Sequence, residues 1–435
     1  MKICMIGAGY VGLVSGACFA DLGNSVWCVD DNKQKIDMLN DNQIPIFEPG
    51  LKDLVDKNYS SGRLKFTTNL NLAIKNSDII FICVGTPTLN KKEGSADLRY
   101  VFKVAAKLSH YINKFKIIVI KSTVPVTTGD KIEKIILKKK RKKLFEIVSN
   151  PEFLREGEAI RDFRFPDRIV IGSSSKKVIK KLKSLYDPLI KKGAIFFSTS
   201  RRGAELVKYA SNAFLATKIS YINEIANLCE KTGVNVEDVS IGIGLDKRIG
   251  SRFLRVGPAY GGSCFPKDTK ALTFTGALFK TDLSIIKSVI KSNEKRRIFL
   301  TERVKKILSN KIKNKKIAFL GVTFKPNTDD MRQSSSLLMI PYLQKRGAKI
   351  NYYDPSGAKK EFSRLKNVFF CNDINEACEK VDLVIIHTEW DEFKALDFKK
   401  LSRRRKFKIY DMRNLYSPQN MKKQGFSYHS IGRQN

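Results

Sequence analysis

Lys2-Ile3-Cys4-Met5-Ile6-Gly7-Ala8-Gly9-Tyr10-Val11-Gly12 opens the chain. A run of strand length leads into three glycines spaced Gly-x-Gly-x-x-Gly, and helical spacing follows over Tyr10–Leu22. Ser25–Val29 reads as a second strand and ends in Asp30. The glycine spacing alone is a weak signal. Between a strand and a helix, with an acid at the end of the next strand, it reads as a dinucleotide-binding fingerprint. Gly7 permits the tight turn, Gly9 lets a pyrophosphate approach, and Gly12 lets helix and strand pack closely. The pyrophosphate would sit where unpaired N–H groups point out of the helix N-terminus. Asp30 would accept hydrogen bonds from the adenosine ribose. Its charge repels a 2′-phosphate, which favours NAD over NADP.

Outward from this stretch, Asp78–Val84, Ile117–Ile120, Phe145–Ser149 and Ile169–Gly172 are further apolar runs of strand length. Strands alternating with helices predict a parallel doubly wound sheet. The rhythm changes near Gly203. Ala204–Cys229 has neither Gly nor Pro and carries apolar residues at helical spacing. Helical text follows Asp268 and runs through Leu308. Lys316-Ile317-Ala318-Phe319-Leu320-Gly321 then repeats the plan of the opening strand, and Val381–Ile386 echoes Ser77–Ile82. The predicted class is therefore α/β, with two Rossmann-like doubly wound domains joined by a long central helix and a helical middle domain. The expected divisions are 1–200, 201–312 and 313–435. The second copy lacks the fingerprint, since Gly321 is followed by Val-Thr-Phe-Lys-Pro. It is expected to take a mononucleotide or sugar nucleotide.

A chain of 435 residues is too long for one ordinary core. No apolar run reaches the roughly 18 residues of a membrane span. The opening strand leaves no room for a signal peptide, so a cytoplasmic protein with no membrane partner is expected. Lys and Arg number 81 against 43 Asp and Glu, a formal charge of +38. The dense basic runs are Lys138–Lys143 and Arg403–Arg405. Neither is interleaved with aromatics and no nucleic-acid motif appears, so no nucleic-acid partner is expected. The charge would help attract a phosphorylated substrate. None of the eight cysteines forms a Cys-x-x-Cys pair, and no metal is expected.

One cysteine has a setting that calls for chemistry. Residues 261–268 read Gly-Gly-Ser-Cys-Phe-Pro-Lys-Asp, placing Cys264 after two glycines and just before Lys267 and Asp268. A neighbouring cation favours the nucleophilic thiolate. An activated thiol together with a nicotinamide site points to an oxidation through a thioester.

With both motifs in place, the chain resembles the UDP-glucose 6-dehydrogenase family. The resemblance covers nearly the whole length. It includes Phe-Glu-Pro-Gly-Leu at 47–51, Val-Gly-Thr-Pro at 84–87, Lys-Ser-Thr-Val-Pro at 121–125, Asn-Pro-Glu-Phe-Leu-Arg-Glu-Gly at 150–157 and Phe-Lys-Pro-Asn-Thr-Asp-Asp-Met-Arg at 324–332. The implied reaction uses two NAD in turn to oxidise UDP-glucose to UDP-glucuronate. A sister enzyme for GDP-mannose or a UDP-N-acetylhexosamine is the alternative.

The resemblance implies these roles. Cys264 would be the nucleophile. Lys208 and Asn212, spaced i, i+4, would stabilise the developing oxyanion. Asp268, with a water and Thr123, would be the general base, and Glu152 would serve thioester hydrolysis. Gly7, Gly9, Tyr10, Val11, Gly12, Asp30, Lys35, Thr86, Thr123, Lys267 and Arg332 would contact the cofactor, with Glu156 near nicotinamide and substrate. Glu152, Phe153, Leu154, Arg155 and Glu156 would line the substrate. Phe253, Leu254, Arg255, Val256 and Gly257, with Tyr260 and Gly261, would wrap the sugar nucleotide beside Lys208 and Asn212. Lys325 and Arg413 would supply cations, and Arg248 would reach the neighbouring subunit of a homo-oligomer, at least a dimer.

Overall fold

The computed structural model describes residues 1–89, 94–141, 144–403 and 406–434. Of the two basic runs, Lys142, Lys143, Arg404 and Arg405 lie outside the described residues. The opening run forms strand β1 (Lys2–Ile6), followed by β2 (Ser25–Val29), β3 (Leu64–Thr67), β4 (Ile79–Ile82), β5 (Lys116–Ile120), β6 (Phe145–Ser149), β7 (Arg168–Gly172) and β8 (Ile195–Thr199). They form one sheet in the order β3-β2-β1-β4-β5-β6-β7-β8. The accompanying helices are α1 (Tyr10–Asp21), α2 (Lys33–Asn40), α3 (Leu51–Ser60), α4 (Leu70–Lys75), α5 (Arg99–Tyr111), α6 (Thr128–Leu137), α7 (Ala159–Arg164) and α8 (Lys176–Ile190). β4 reads Ile-Ile-Phe-Ile and is buried throughout, as a strand covered on both faces should be. On one face Phe19 of α1 is fully buried, with ring centroids 5.2 Å from Phe81, 5.0 Å from Phe163 and 5.5 Å from Tyr186.

β1 to β6 run parallel, but β6 and β7 meet antiparallel through the single pair Ser149–Gly172. Only the six-residue α7 lies between them. It docks on α1 through Phe163, and the chain re-enters the sheet reversed. β7 and β8 are again parallel to each other.

The long apolar-periodic stretch is α9 (Arg201–Thr232), 32 residues and about 48 Å long. α10 (Val236–Gly244), α11 (Phe265–Leu278) and α12 (Ser284–Ile307) follow. A second sheet has the order β11-β10-β9-β12-β13-β14, built from β9 (Lys316–Leu320), β10 (Lys349–Tyr353), β11 (Val368–Phe370), β12 (Leu383–Ile386), β13 (Lys408–Asp411) and β14 (Tyr428–His429). Helices α13 (Ser336–Lys345), α14 (Ile374–Cys378), α15 (Phe398–Leu401) and α16 (Pro418–Lys423) accompany it. Both sheets reverse strand order beside their first strand, the crevice where doubly wound folds bind ligands. The chain divides into two compact units, residues 1–211 with 271–281, and residues 212–270 with 282–435. Among the described residues, no helix is long and apolar enough to cross a membrane.

Candidate active site

In the first unit the fingerprint lies between the C-terminal ends of β1 and β4. Gly7 sits at φ +102°, where a side chain is strained. A Cβ on Gly12 would lie 1.8 Å from the Gly7 carbonyl oxygen, so only glycine lets α1 start this close to the turn. Gly9 differs, because among the described residues nothing stands within 4 Å of the space its Cβ would fill. That open flank beside a helix N-terminus is the place for an anion. Asp30 accepts the Ala8 N–H at 2.9 Å and the Lys35 ammonium at 3.0 Å through one oxygen, and the Asn32 N–H at 3.0 Å through the other. A carboxylate has about four acceptor sites, so capacity remains for a ribose hydroxyl. These residues fit NAD. Val11 packs against the core below them.

The second module shows what the same plan looks like with that space taken. Gly321 has φ +75°, and Asp354, at the end of β10, accepts the Val322 N–H at 2.8 Å, as Asp30 accepts that of Ala8. Asp354 also accepts from the N–H and hydroxyl of Thr323 and from the N–H and hydroxyl of Ser356, with the Lys359 ammonium 3.6 Å away. It is buried and has no capacity left for a ribose.

A second group of first-unit residues surrounds Lys208 of α9. Lys208 pairs with Glu152 at 3.2 Å, both side chains about 5% exposed. Glu152 also accepts the Leu154 N–H at 2.5 Å. The Phe153 ring lies under the Lys208 ammonium at 5.2 Å and the Arg168 guanidinium at 4.0 Å. Thr86 donates its hydroxyl to the Thr123 carbonyl at 2.8 Å, tying the ends of β4 and β5 together. Burial holds the Lys121 ammonium below its ordinary range. The 150–158 loop is clamped by Glu48, which the sequence reading passed over inside Phe-Glu-Pro-Gly-Leu. Glu48 bonds the Tyr10 hydroxyl and accepts the N–H groups of Gly157 at 2.6 Å and Ala159 at 2.7 Å. Burial, then the bond to Glu48, pushes the Tyr10 hydroxyl far up, so it stays neutral. Arg155 turns outward to Asp162 and Glu158. Leu154 packs against the core and Glu156 is half-buried.

The thiol belongs to the second unit. Of the eight cysteines, Cys264 alone is not buried. Burial pushes up the thiols of Cys4, Cys18, Cys28, Cys83, Cys229, Cys371 and Cys378. Cys264 directly precedes α11, and its carbonyl accepts the Asp268 N–H at 2.8 Å, the first bond of that helix. It therefore stands at the positive end of the helix dipole, where negative charge is stabilised. One turn on, Asp268 is buried and accepts the Lys267 ammonium at 2.6 Å and the Asn212 amide at 2.6 Å. The acid, its sequence neighbour Lys267 and the distant Asn212 amide thus form one cluster.

The 253–262 loop packs on the second module's 324–333 segment. A Cβ on Gly261 would meet the Gln333 carbonyl oxygen at 2.7 Å, and one on Gly257 the Arg413 guanidinium at 3.0 Å. Phe253 adopts φ +66°, and its ring meets Phe265 edge-on. Leu254 and Val256 are buried, Arg255 is exposed, and Tyr260 donates its N–H to Asn293 at 2.9 Å. Arg413 bonds the carbonyls of His387 and Phe324 and pairs with Glu389 at 2.8 Å. Lys325 stands 5.6 Å over Phe324. Gly257, Gly261, Lys325 and Arg413, expected to act on one ligand, are thus brought together in this unit. Arg332 and Arg248 are exposed and held locally by Asp330 and Asp246. His387 is buried between Ser335 and Thr388 and is pushed down to about 3, so it is neutral and structural.

Comparison with known proteins bears on the whole chain. It matches the UDP-glucose/GDP-mannose dehydrogenase family profiles: NAD binding domain over residues 1–190, central domain over 202–295 and UDP binding domain over 318–418. It is 49% identical to a UDP-glucose 6-dehydrogenase of Rhizobium meliloti, covering 100% of both chains. A UDP-glucose dehydrogenase structure from Pyrobaculum islandicum superposes with a TM-score of 0.90 at 35% identity, covering 100% of this chain and 98% of that one. A UDP-D-ManNAc dehydrogenase from Pyrococcus horikoshii follows at TM-score 0.87 and 25% identity, covering 100% and 99%.

Proposed function

Because the chain belongs to the UDP-glucose/GDP-mannose dehydrogenase family, we propose that it oxidises UDP-glucose to UDP-glucuronate with NAD, through a thioester on Cys264. The observation that carries the mechanism is Cys264 itself: the one cysteine not buried, at a helix N-terminus, one turn before Asp268, whose carboxylate bonds Lys267 and Asn212. Gly9 and the start of α1 would hold the pyrophosphate of NAD and Asp30 its ribose, and the bound cofactor would supply the hydride acceptor for each oxidation. Asp268 takes the proton from the sugar hydroxyl through a water and Thr123, while Lys208 and Asn212 donate to the developing oxyanion. Preorganised donors of this kind are worth about 10²–10³ in rate. The Cys264 thiolate then adds to the aldehyde carbon. A tethered thiohemiacetal cannot escape and still has a hydride to give. Glu152 orients the water that hydrolyses the resulting thioester and returns the thiolate. Lys325 and Arg413 meet the diphosphate, and the 253–261 loop wraps the sugar nucleotide.

We further propose that 1–200, 201–312 and 313–435 serve as cofactor, association and nucleotide-sugar divisions of a homo-oligomer. Exposed Phe214, Tyr221, Leu228 and Ile285 on α9 and α12 support association there, and the 89% exposure of the Arg248 side chain suits a residue that reaches a neighbour. Eight cysteines held as thiols suit a reducing compartment, the cytoplasm. The test is NADH formation from UDP-glucose, GDP-mannose and a UDP-N-acetylhexosamine. UDP-glucose should be turned over fastest, with two NADH per sugar. Faster turnover of either rival would overturn the substrate, and one NADH per sugar would overturn the four-electron reaction.

A further inference from the structure

Helix α9 carries an acid on the face that bears Lys208. Glu205 lies one turn earlier and is 3% exposed. Its Oε2 accepts the Thr127 N–H at 2.8 Å; its Oε1 accepts the Gly129 N–H at 2.8 Å and the Ser149 hydroxyl at 3.4 Å. Thr127 has φ +78°, a costly conformation for a β-branched residue, and this carboxylate holds it. A Cβ on Gly129 would come within 3.0 Å of Oε1 and 2.9 Å of the Arg201 Cδ, so a side chain there would press on both. Glu205 therefore caps α6 from outside and fixes the far end of the segment that carries Thr123. It also lines a cavity of about 10 Å³ with Ser122, Thr123, Ser149 and Lys208. That is room for one water, with more than the two polar partners a buried water needs.

We propose that Glu205 is a positioning residue of the oxidation: it pins the Thr123 segment through α6 and, through one water in the shared cavity, orients the Thr123 hydroxyl and the Lys208 ammonium. This rests on the reaction proposed above. The water accepts from the ammonium and the hydroxyl and donates to the carboxylate, which must be ionised. Burial pushes Glu205 up to about 7. The charged groups facing it are Arg201 and Lys208 on its own helix and Asp130 on α6. Arg201 is bonded to Asp130 and Glu133, and Lys208 is paired with Glu152. As pH falls through about 7, Glu205 takes up a proton and the water loses its charged acceptor for a weaker neutral one, so turnover falls.

The variant is Glu205→Gln, assayed for NADH formation from about pH 5 to about pH 9. In the unmodified protein kcat should fall on the acid side with a midpoint near 7. The variant should lose that limb and turn over roughly 10- to 100-fold more slowly at high pH, with KM values within about twofold. A variant that keeps both the limb and the rate overturns the proposal. A readout without turnover is the infrared carboxyl titration, assigned by difference from Glu205→Gln or, should that variant not fold, by its shift in Thr123→Val. A carboxyl titrating near 7 whose midpoint moves in Thr123→Val supports the shared water. One titrating in the ordinary range and indifferent to Thr123→Val refutes it. If the unmodified protein oxidises no nucleotide sugar, the assigned reaction fails, and the titration still decides the coupling of Glu205 to Thr123.

Discussion

Gly9→Ala and Gly12→Ala should have opposite effects, because the two glycines are glycine for different reasons. A Cβ at position 12 would sit 1.8 Å from the Gly7 carbonyl oxygen and 3.1 Å from the Cys83 Cβ. Carbon and oxygen approach no closer than roughly 3.3 Å, so backbone must give by about 1.5 Å in the middle of the fingerprint. Overpacking costs about 1–3 kcal/mol, and the upper end is expected where both neighbours are backbone or core. At position 9 none of the described residues stands within 4 Å of the new methyl, and φ −80° suits any residue. Alanine is a poorer N-cap than glycine by about 0.5–1 kcal/mol, offset by about 0.4–1 kcal/mol of lost unfolded-state freedom. Stability should therefore stay within about 1 kcal/mol. The methyl does fill the space of the pyrophosphate. Losing one charge-assisted hydrogen bond, about 1.5–3 kcal/mol, raises Kd for NAD roughly 10- to 150-fold. Urea unfolding and a fluorescence titration with NAD read the two effects separately. Wild-type NAD affinity in Gly9→Ala would refute the placement of the pyrophosphate, and unchanged stability in Gly12→Ala would refute the packing argument.

Cys264→Ser should abolish acid formation while leaving NAD binding intact, because an alkoxide is far harder to form than a thiolate; product analysis by anion-exchange chromatography checks it. Lys208→Met removes the ammonium from a buried carboxylate and should cost about 3–5 kcal/mol in urea unfolding, most of it recovered in Lys208→Met/Glu152→Gln. Lys116 is fully buried with its ammonium on the carbonyls of Ile74 and Ser77, and burial lowers it to about 8. Its folded value lies below its unfolded one, so the penalty is full below about 8 and fades as pH rises toward the ordinary lysine value. The stability advantage of Lys116→Met should shrink over that window; a difference independent of pH would contradict it.

Much of this was legible because local pattern and tertiary context agreed. β1, β2 and β6 run as read, since each is a buried apolar run bounded by turn residues. α9 outruns the reading at both ends, because polar residues such as Arg201 and Arg202 extend the helix by bonding Asp130 and Glu133, which apolar spacing cannot register. The reversal at β7 was not legible, since strand direction depends on where α7 docks. Cys264 stood out by its neighbours. Glu48 and Glu205 did not, although the first lay within a quoted motif and the second one turn from Lys208. Each is a buried acid whose partners are backbone N–H groups far away in sequence, and only the fold supplies those. Asp354 was hidden because the second module was judged by its missing glycines rather than by the acid it kept.

The most direct test of the account is the intact mass of the Glu152→Gln protein, quenched after mixing with UDP-glucose and NAD. With hydrolysis slowed, a nucleotide-sugar acyl group should accumulate on the peptide holding Cys264 and vanish in the Cys264→Ser background. Continued release of the acid with an unmodified Cys264 would contradict it.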